Sequence, residues 1–467
     1  MPDARHLDPA PDVLVIGGGT AALCAAIAAR QAGASVLMVE QAPRALRGGN
    51  TRHSRNLRFA HTGETPLSTG PYPADAFWSD LERATSGTLD AGLARLLVQD
   101  SQDITGWLEA AGVHFQSHAS GVLPQSSKTA FLLGGGKSMI NALYSRAEHL
   151  GVSVAYETEC VDLAIRENRL VGVTLKSGDR PGTLHPGAAI ACCGGAQASR
   201  TWLRSCWGDA AEGFVNRGTP FAEGGVLRSL LDRGAEAVGD PKHLYLVAVD
   251  ARSPADDGGI ATRVRAMPAG IVVDTEGQRR HDEGGDTAST RYAVWGQRLA
   301  GFPGQLGHLI LDARGLREAP PSLYPPITAD SVGGLAERIG IHPAALDATL
   351  TRYNASVRAP DDPSDRAGWH SLGLDPPKSR LALPLTEAPF AAFPMRPGIT
   401  FSYHGVGVDT TARVRLSQGG AVANLFAAGM IMAPSIIPRG YVSGLALTIG
   451  IVFGRLAGQE AARHVRG

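Results

Sequence analysis

Apolar residues gather first at 13–16, where VLVI runs without a polar break, and again in a second run that ends on the acid Glu40. Unbroken apolar runs of this length predict strands buried on both faces, as in a parallel sheet. Between them a glycine turn runs into a stretch rich in small residues, which predicts a helix packed on the strand. At 75–83 and 91–112 apolar positions recur at three and four, which predicts amphipathic helices, and a further helix follows GGGKS at 140–150. Residues 152–165 and 169–175 alternate apolar and polar, predicting paired antiparallel strands; AAIACCGG at 188–195 predicts another buried strand ending on two glycines. A loop from 217 leads into the helical VLRSLLDRGA. From about 251 to 379 proline, charge and short segments accumulate around one helical stretch near 329–357. Buried-strand texture then returns in ARVRL and ANLFAAGM, before a last helix running to about 464.

The first apolar run carries the clearest chemistry. Gly17 allows a tight turn, Gly19 lets backbone approach an anion, and Ala22 lets helix and strand pack; Thr20 and Ala21 open a helix whose unpaired N–H groups favour negative charge. Glu40, followed by Gln41, closes the second strand where a carboxylate can take the hydroxyls of a ribose. Strand, glycines, helix, strand and acid in that order predict a dinucleotide-binding unit.

Charge and cysteines mainly exclude. Lys+Arg and Asp+Glu are both 44 in 467 residues, so nothing global draws the chain to nucleic acid or acidic membranes. Five cysteines lack metal-ligand spacing, so no metal is expected. The first eleven residues lack a cationic start and apolar core, so no signal peptide is read. The longest apolar candidate for a membrane span, 444–457, is broken by Gly450, Gly454 and Arg455. The expectation is a soluble, cytoplasmic protein. An inserted domain at 251–379 between two parts of a nucleotide domain, 1–250 and 380–467, is the economical organisation.

These glycines and Glu40, with GGNT at 48–51, ACCGG at 191–195 and NLFAAGM at 424–430, resemble the FAD-binding fold of the fumarate reductase/succinate dehydrogenase flavoproteins. The blocks RGGNTRHSRNLR (47–58), FLLGGGKSMINALY (131–144), RGTPF (217–221) and RPGITFSY (396–403) are similar to the tricarballylate dehydrogenase family. They are about as similar to the flavoprotein part of aerobic precorrin-3B synthase, from cobalamin synthesis. The resemblance covers essentially the whole chain. It implies an α/β fold: a Rossmann-like FAD-binding domain of the GR2 type with an inserted α+β capping domain.

It also implies FAD contacts. Gly48, Gly49, Asn50, Thr51 and Arg52 join the first glycine turn, with Val161, Gly194 and Gly195 further on. Gly429, Met430 and the turn Ser443, Gly444, Leu445, Ala446 fall where the family meets the ribityl chain and flavin. Met430 stands where the family usually carries glutamate. Asn50 stands where succinate dehydrogenases carry the histidine that bonds the flavin covalently, which implies non-covalent FAD; His53 lies three residues on. The cluster Arg52, His53, Arg55, Arg58 reads either as cations for substrate carboxylates and reduced flavin or as pyrophosphate and solvent contacts.

The substrate positions depart from the family pattern. The cap segment 277–292 keeps Gly277, Arg279 and Glu283, but the proton-delivering arginine falls strictly on Thr287, with Arg291 nearest. The family histidine of HTMGG falls on Phe401, beside Tyr403 and His404, and the arginine of NRLGG falls on Tyr441, two after Arg439. Candidate catalytic residues are therefore Arg279, Arg291, Tyr403, His404, Arg439 and Tyr441, with a substrate other than plain fumarate. The implied reaction moves a hydride between a small di- or tricarboxylate and flavin N5, tricarballylate to cis-aconitate foremost. Electrons would pass to a separate iron–sulfur/haem membrane protein, the chain's only route to a membrane. Precorrin ring oxidation is the rival, and a steroid-type desaturation, suggested by the Tyr441-x-x-Gly444 turn, a third reading.

Overall fold

A computed structural model describes residues 10–117, 127–286 and 291–467. The chain folds into two compact units. The first comprises Met1–Ser199, Thr219–Leu244 and Phe401–Gly467, the second Arg200–Gly218 and Tyr245–Thr400. The second unit is thus wider than the texture change at 251–379, because the strands bordering that stretch give no change of composition where one unit ends.

In the first unit Val13–Ile16 lies at the middle of a six-stranded sheet. It runs parallel to Val36–Val39 on one side and Ala188–Ala191 on the other, with Val13 opposite both Val36 and Ala188. Ser153–Ala155 and Ala421–Ala427 extend the sheet in parallel, and Arg413–Arg415 closes one edge antiparallel. Every residue of the three central strands is buried, the physical reason their apolar runs have no polar alternation. The register also aligns their carboxyl ends: Ile16 is level with Val39 and Ala191, and Ala191 with Ala427. Ligands of open parallel sheets bind beyond such an edge.

Helix Thr20–Gln31 packs against the C-terminal helix Leu445–Arg466. A Cβ at Gly454 would stand 2.6 Å from the Ala21 carbonyl oxygen, and one at Gly458 2.2 Å from that of Ala25. These glycines are therefore the seam of a close helix pair. A meander of Thr158–Arg166, Arg169–Ser177 and Arg180–Leu184 is tied to the sheet by buried Asn424, which accepts from Leu170 N–H (2.8 Å) and donates to the carbonyls of Leu170 and Gly187.

The second unit is built on the strands Val215–Asn216, Gly307–Leu311 and Ile271–Asp274 and on residues 390–400 of the long strand Phe390–Val406, to which Ile327–Ala329 and the strand Ala237–Asp250, of which residues 245–250 belong to this unit, are paired. Ile271, Val273 and Ile310 form its core with Leu335, Leu346, Leu350 and Tyr353. The helical stretch expected near 329–357 is two helices, Val332–Ile339 and Pro343–Ser356. Gly340 ends the first in a left-handed conformation (φ 71°), and Pro343 opens the second. Among the described residues no helix is long and apolar enough to cross a membrane.

Candidate active site

The carboxyl edge of the first unit's sheet gathers the glycine-rich segments. Gly17 (φ 114°) donates to the Val39 carbonyl at 2.8 Å, and a Cβ there would sit 2.5 Å from the Cys192 carbonyl oxygen. Gly18, passed over by the motif reading, is as constrained: its Cβ would come within 2.2 Å of Glu40 Oε2 and 2.3 Å of the Tyr144 hydroxyl. Gly19 is different. It is extended (φ −81°), and the nearest protein atoms to a Cβ there are 3.7 Å away, so its bareness leaves room at the helix start rather than relieving a clash. No side chain caps Gly19, while Thr51 Oγ1 accepts from both the N–H (3.2 Å) and hydroxyl (2.8 Å) of Thr20. The N–H groups of Ala21 and Ala22 lie in the first turn, where a helix has no internal acceptors.

Glu40 is 6 % exposed, and its carboxylate accepts from the N–H groups of Ala42 (2.9 Å) and Gly48 (3.4 Å). Burial raises its pKa, against the pull of these backbone bonds, of Gln41 N–H and of Arg52. Gly48 (φ 104°) and Gly49 (φ 54°) carry the chain into the short helix Gly49–His53. Asn50, at the attachment position, has its Oδ1 taken by Thr219 N–H at 2.9 Å. Arg47 is a residue the sequence reading missed: its guanidinium lies 3.9 Å over the Tyr144 ring and donates to the Tyr156 hydroxyl at 2.6 Å. Only the pairing of distant tyrosines with it could have revealed those contacts.

The other expected segments reach the same unit. Gly194 (φ 78°) and Gly195 follow Ala188–Ala191. Gly429 (φ 81°) follows Ala421–Ala427, where a Cβ would be 2.7 Å from that of Ala21, so only glycine lets this turn meet the first helix. Met430 is half-buried beside it. Ser443 and Gly444 (φ 81°) precede Leu445 and Ala446 at the start of the C-terminal helix, which has no side-chain cap. Val161 stands at a bulge of the meander, 38 % exposed.

Four of the six candidate catalytic residues belong to this unit, in unlike states. Tyr403 is buried at 4 %, and its hydroxyl donates to the Gly440 carbonyl. Burial foremost, then the neighbouring Tyr441, pushes its pKa up, so the hydroxyl stays protonated as the donor of that bond. Gly440 (φ 75°) is pressed on the other side against Ala84, whose carbonyl oxygen a Cβ would meet at 2.0 Å. Arg439 and Tyr441 flank this clamped glycine. Arg439 is exposed, with no hydrogen-bond or ion-pair partner among the described residues, and Tyr441 is half-buried. His404 is partly buried, and burial lowers its pKa against the opposing Val238 carbonyl and Asp240. Arg58, grouped in the sequence with Arg52, His53 and Arg55 as an open cation, is instead buried and ion-paired with Asp80 at 2.8 Å.

Arg279 and Arg291 belong to the second unit. Arg279 is 8 % exposed and spends its donors internally: on the Glu283 carboxylate (Nε to Oε1, 3.1 Å), the Pro376 carbonyl (2.8 Å) and that of Pro377 (3.3 Å). Glu283 in turn accepts from Val272 N–H at 2.8 Å. The two motif residues the sequence keeps are therefore an internal ion pair, and Arg279 leaves the set of open cations. Arg291 opens helix Arg291–Ala300 and donates to the Arg265 carbonyl at 3.3 Å. Thr287 lies outside the described residues.

Three comparisons fit this arrangement. The family model described as "FAD binding domain" matches residues 12–436. A probable fumarate reductase, Ifc3, of Shewanella frigidimarina is 26 % identical over 473 residues, covering 97 % of this chain and 75 % of the relative. The digoxin reductase of Eggerthella lenta is 25 % identical over 513 residues, covering 98 % and 89 %. The solved open conformation of a flavocytochrome c3 fumarate reductase has the same fold, with a TM-score of 0.78 at 21 % identity over 99 % of this chain and 80 % of that one. The chain belongs to the FAD binding domain family, that of the fumarate reductase and succinate dehydrogenase flavoproteins, and is an FAD-dependent dehydrogenase or reductase of carbon–carbon bonds.

Proposed function

We propose that this enzyme moves a hydride between a small di- or tricarboxylate and non-covalent FAD, with tricarballylate to cis-aconitate as the reaction. The observation that carries the reading is Arg439: an exposed guanidinium without a protein partner among the described residues, on a loop held rigid by Tyr403 and Ala84, directly before the helix assigned to the flavin. A planar fork kept open is suited to a carboxylate.

The residues present fit FAD. Room at Gly19 and the first-turn N–H groups of Ala21 and Ala22 suit the pyrophosphate, with Thr51, which holds Thr20 N–H, and the Gly48–Gly49 turn alongside. Buried Glu40, a carboxylate with about four lone-pair sites, has capacity beyond its backbone bonds for ribose hydroxyls. The uncapped start of Leu445–Arg466 suits the electron-rich pyrimidine edge of the flavin. With Asn50 at the attachment position and its Oδ1 engaged, the flavin is held by these contacts alone. Bound FAD supplies a hydride acceptor or donor at N5. Arg439 orients a substrate carboxylate, Tyr441 carries the proton at the neighbouring carbon, and Tyr403 fixes the loop bearing both. Arg291 is a further candidate carboxylate ligand, to be tested by itself.

Electrons leave through a separate redox protein, iron–sulfur or haem in kind, which would also supply any membrane contact. The buried thiols of Cys24, pushed up to about 12, and of Cys192, pushed well above the usual thiol range, both by burial, suit neither cluster nor metal as ligands. A second reading, ring oxidation of a precorrin as the flavoprotein part of precorrin-3B synthase, is supported by the same blocks at 47–58, 131–144, 217–221 and 396–403. Anaerobic mixing of the yellow holoprotein with tricarballylate separates the two: bleaching with formation of cis-aconitate is expected. No bleaching by tricarballylate, with bleaching by a precorrin or a steroid ketone, would replace this reading.

A further inference from the structure

We propose that Arg58 is a positioning residue that sets the flavin-facing end of the C-terminal helix and thereby the flavin's reduction potential; this rests on the reading of Ser443–Ala446 as the turn that meets the flavin. Strand Asn56–Arg58 is fastened to that turn residue by residue. Asn56 Nδ2 donates to Ser443 Oγ at 3.2 Å. A Cβ on Gly444, the residue before the helix, would stand 2.7 Å from the Leu57 carbonyl carbon. Arg58 N–H donates to Thr448 Oγ1 at 3.1 Å, and that hydroxyl donates back to the Arg58 carbonyl.

The guanidinium completes the fastening. Arg58 Nε donates to the Ser443 carbonyl at 2.9 Å, one residue before the helix N-cap. Its Nη1 is held by Asp80 Oδ2 at 2.8 Å and by the Tyr72 hydroxyl. Asp80 is itself fixed, accepting from Tyr72 (2.8 Å), Lys128 (2.8 Å) and Arg83 (3.1 Å). Burial alone would raise the Asp80 pKa; the bonds from Lys128 and Tyr72 and the charge of Arg58 outweigh it and hold the carboxyl low. The pair is almost wholly enclosed, side chains 8 % and 12 % exposed. With its charge offset by Asp80, Arg58 acts on the flavin through geometry: Leu445 N–H is taken by the Val442 carbonyl at 3.1 Å, and Arg58 fixes how the next first-turn N–H groups, those of Ala446 and Leu447, point.

The test uses the FAD holoprotein and the variants Arg58→Lys and Asp80→Asn. Sulfite adds to flavin N5 and leaves negative charge on the pyrimidine side, so its dissociation constant reads the field of the helix end without any substrate. Both variants should bind sulfite at least ~10-fold more weakly, with the two-electron midpoint potential lowered by about 30 mV for each tenfold change. Asp80→Asn is the decisive arm, and it serves even where Arg58→Lys does not fold. If Arg58 acted by charge, freeing it from Asp80 would tighten sulfite binding; if it positions, binding weakens. Unchanged sulfite affinity and potential in folded variants with lowered melting temperature would overturn the inference and leave a structural clamp. A wild-type holoprotein that binds no sulfite would overturn the reading of the helix end as well.

Discussion

Two arginine-bearing regions invert what their motifs imply. In the second unit, 277–283 keeps the family's Gly277, Arg279 and Glu283, yet Arg279 is enclosed and its donors go to Glu283 and two proline carbonyls. In the first unit, 437–444 has lost the family arginine to Tyr441, yet Arg439 two residues away stands exposed and unpaired among the described residues. The kept arginine is structural and the displaced one is available. Lys378 repeats the lesson: 1 % exposed, it donates to the Pro268 (2.9 Å) and Gly270 (2.6 Å) carbonyls. What makes a cation functional is unspent donor capacity, because a buried charge must be satisfied internally before it can do anything else.

The largest effect that could break this contrast is on stability. Arg279→Met leaves Glu283 buried without its partner and should cost about 3–5 kcal/mol, read as a lowered denaturant midpoint. Adding Glu283→Leu should recover much of that loss, since the penalty is an unpaired charge rather than a lost attraction. A single variant that unfolds like wild type would mean Arg279 is not structural. Lys378 gives the next effect, through pH. Burial lowers its pKa from 10.5 to about 8, so between those values the unfolded chain binds the extra proton. Its contribution to stability is present above the unfolded value and is lost as pH falls through about 8. Wild type should therefore gain up to about 3 kcal/mol on Lys378→Met between pH 8 and pH 10.5. Parallel curves for the two proteins over that range would refute the buried, depressed lysine.

The same distinction explains how much was legible in the sequence. The strands Val13–Ile16, Val36–Val39 and Ala188–Ala191 announce themselves because burial on both faces leaves only apolar residues. Gly17 and Glu40 follow because the turn and the acid are fixed by local geometry. Gly18 was not legible: a Cβ there would meet Glu40 Oε2 at 2.2 Å and, at 2.3 Å, the hydroxyl of Tyr144, a residue more than a hundred positions away in sequence. Gly450, Gly454 and Gly458 look like interruptions until Thr20–Gln31 is laid against them. The state of a charged side chain is the least legible of all. Nothing in GQRRHDE tells that Arg279 turns inward while Arg280, next to it, pairs near the surface with Asp274 at 2.6 Å. For Arg279 the inward choice depends on the Pro376 and Pro377 carbonyls arriving from about a hundred residues away.

The smallest effects sharpen the contrast on the open side. Arg439→Lys keeps the charge but loses the planar fork, so flavin reduction by tricarballylate should slow by at least ~10-fold, about 1.4 kcal/mol, with melting unchanged because nothing structural leans on it. Tyr403→Phe removes one hydroxyl bond to the Gly440 carbonyl and leaves the ring packed against Phe401, centroids 5.3 Å apart. Its direct cost is about 0.5–1.5 kcal/mol. If the tyrosine holds the loop rather than touching substrate, that loss loosens Arg439 and Tyr441 together. The half-saturating tricarballylate concentration should then rise more than the limiting reduction rate falls, and FAD retention should stay as in wild type. A fall in the limiting rate as large as that of Arg439→Lys, at unchanged half-saturation, would mean the Tyr403 hydroxyl meets the reacting carbon itself. In that case the bond to Gly440 is released when substrate binds, and the clamped loop is the resting arrangement rather than the working one.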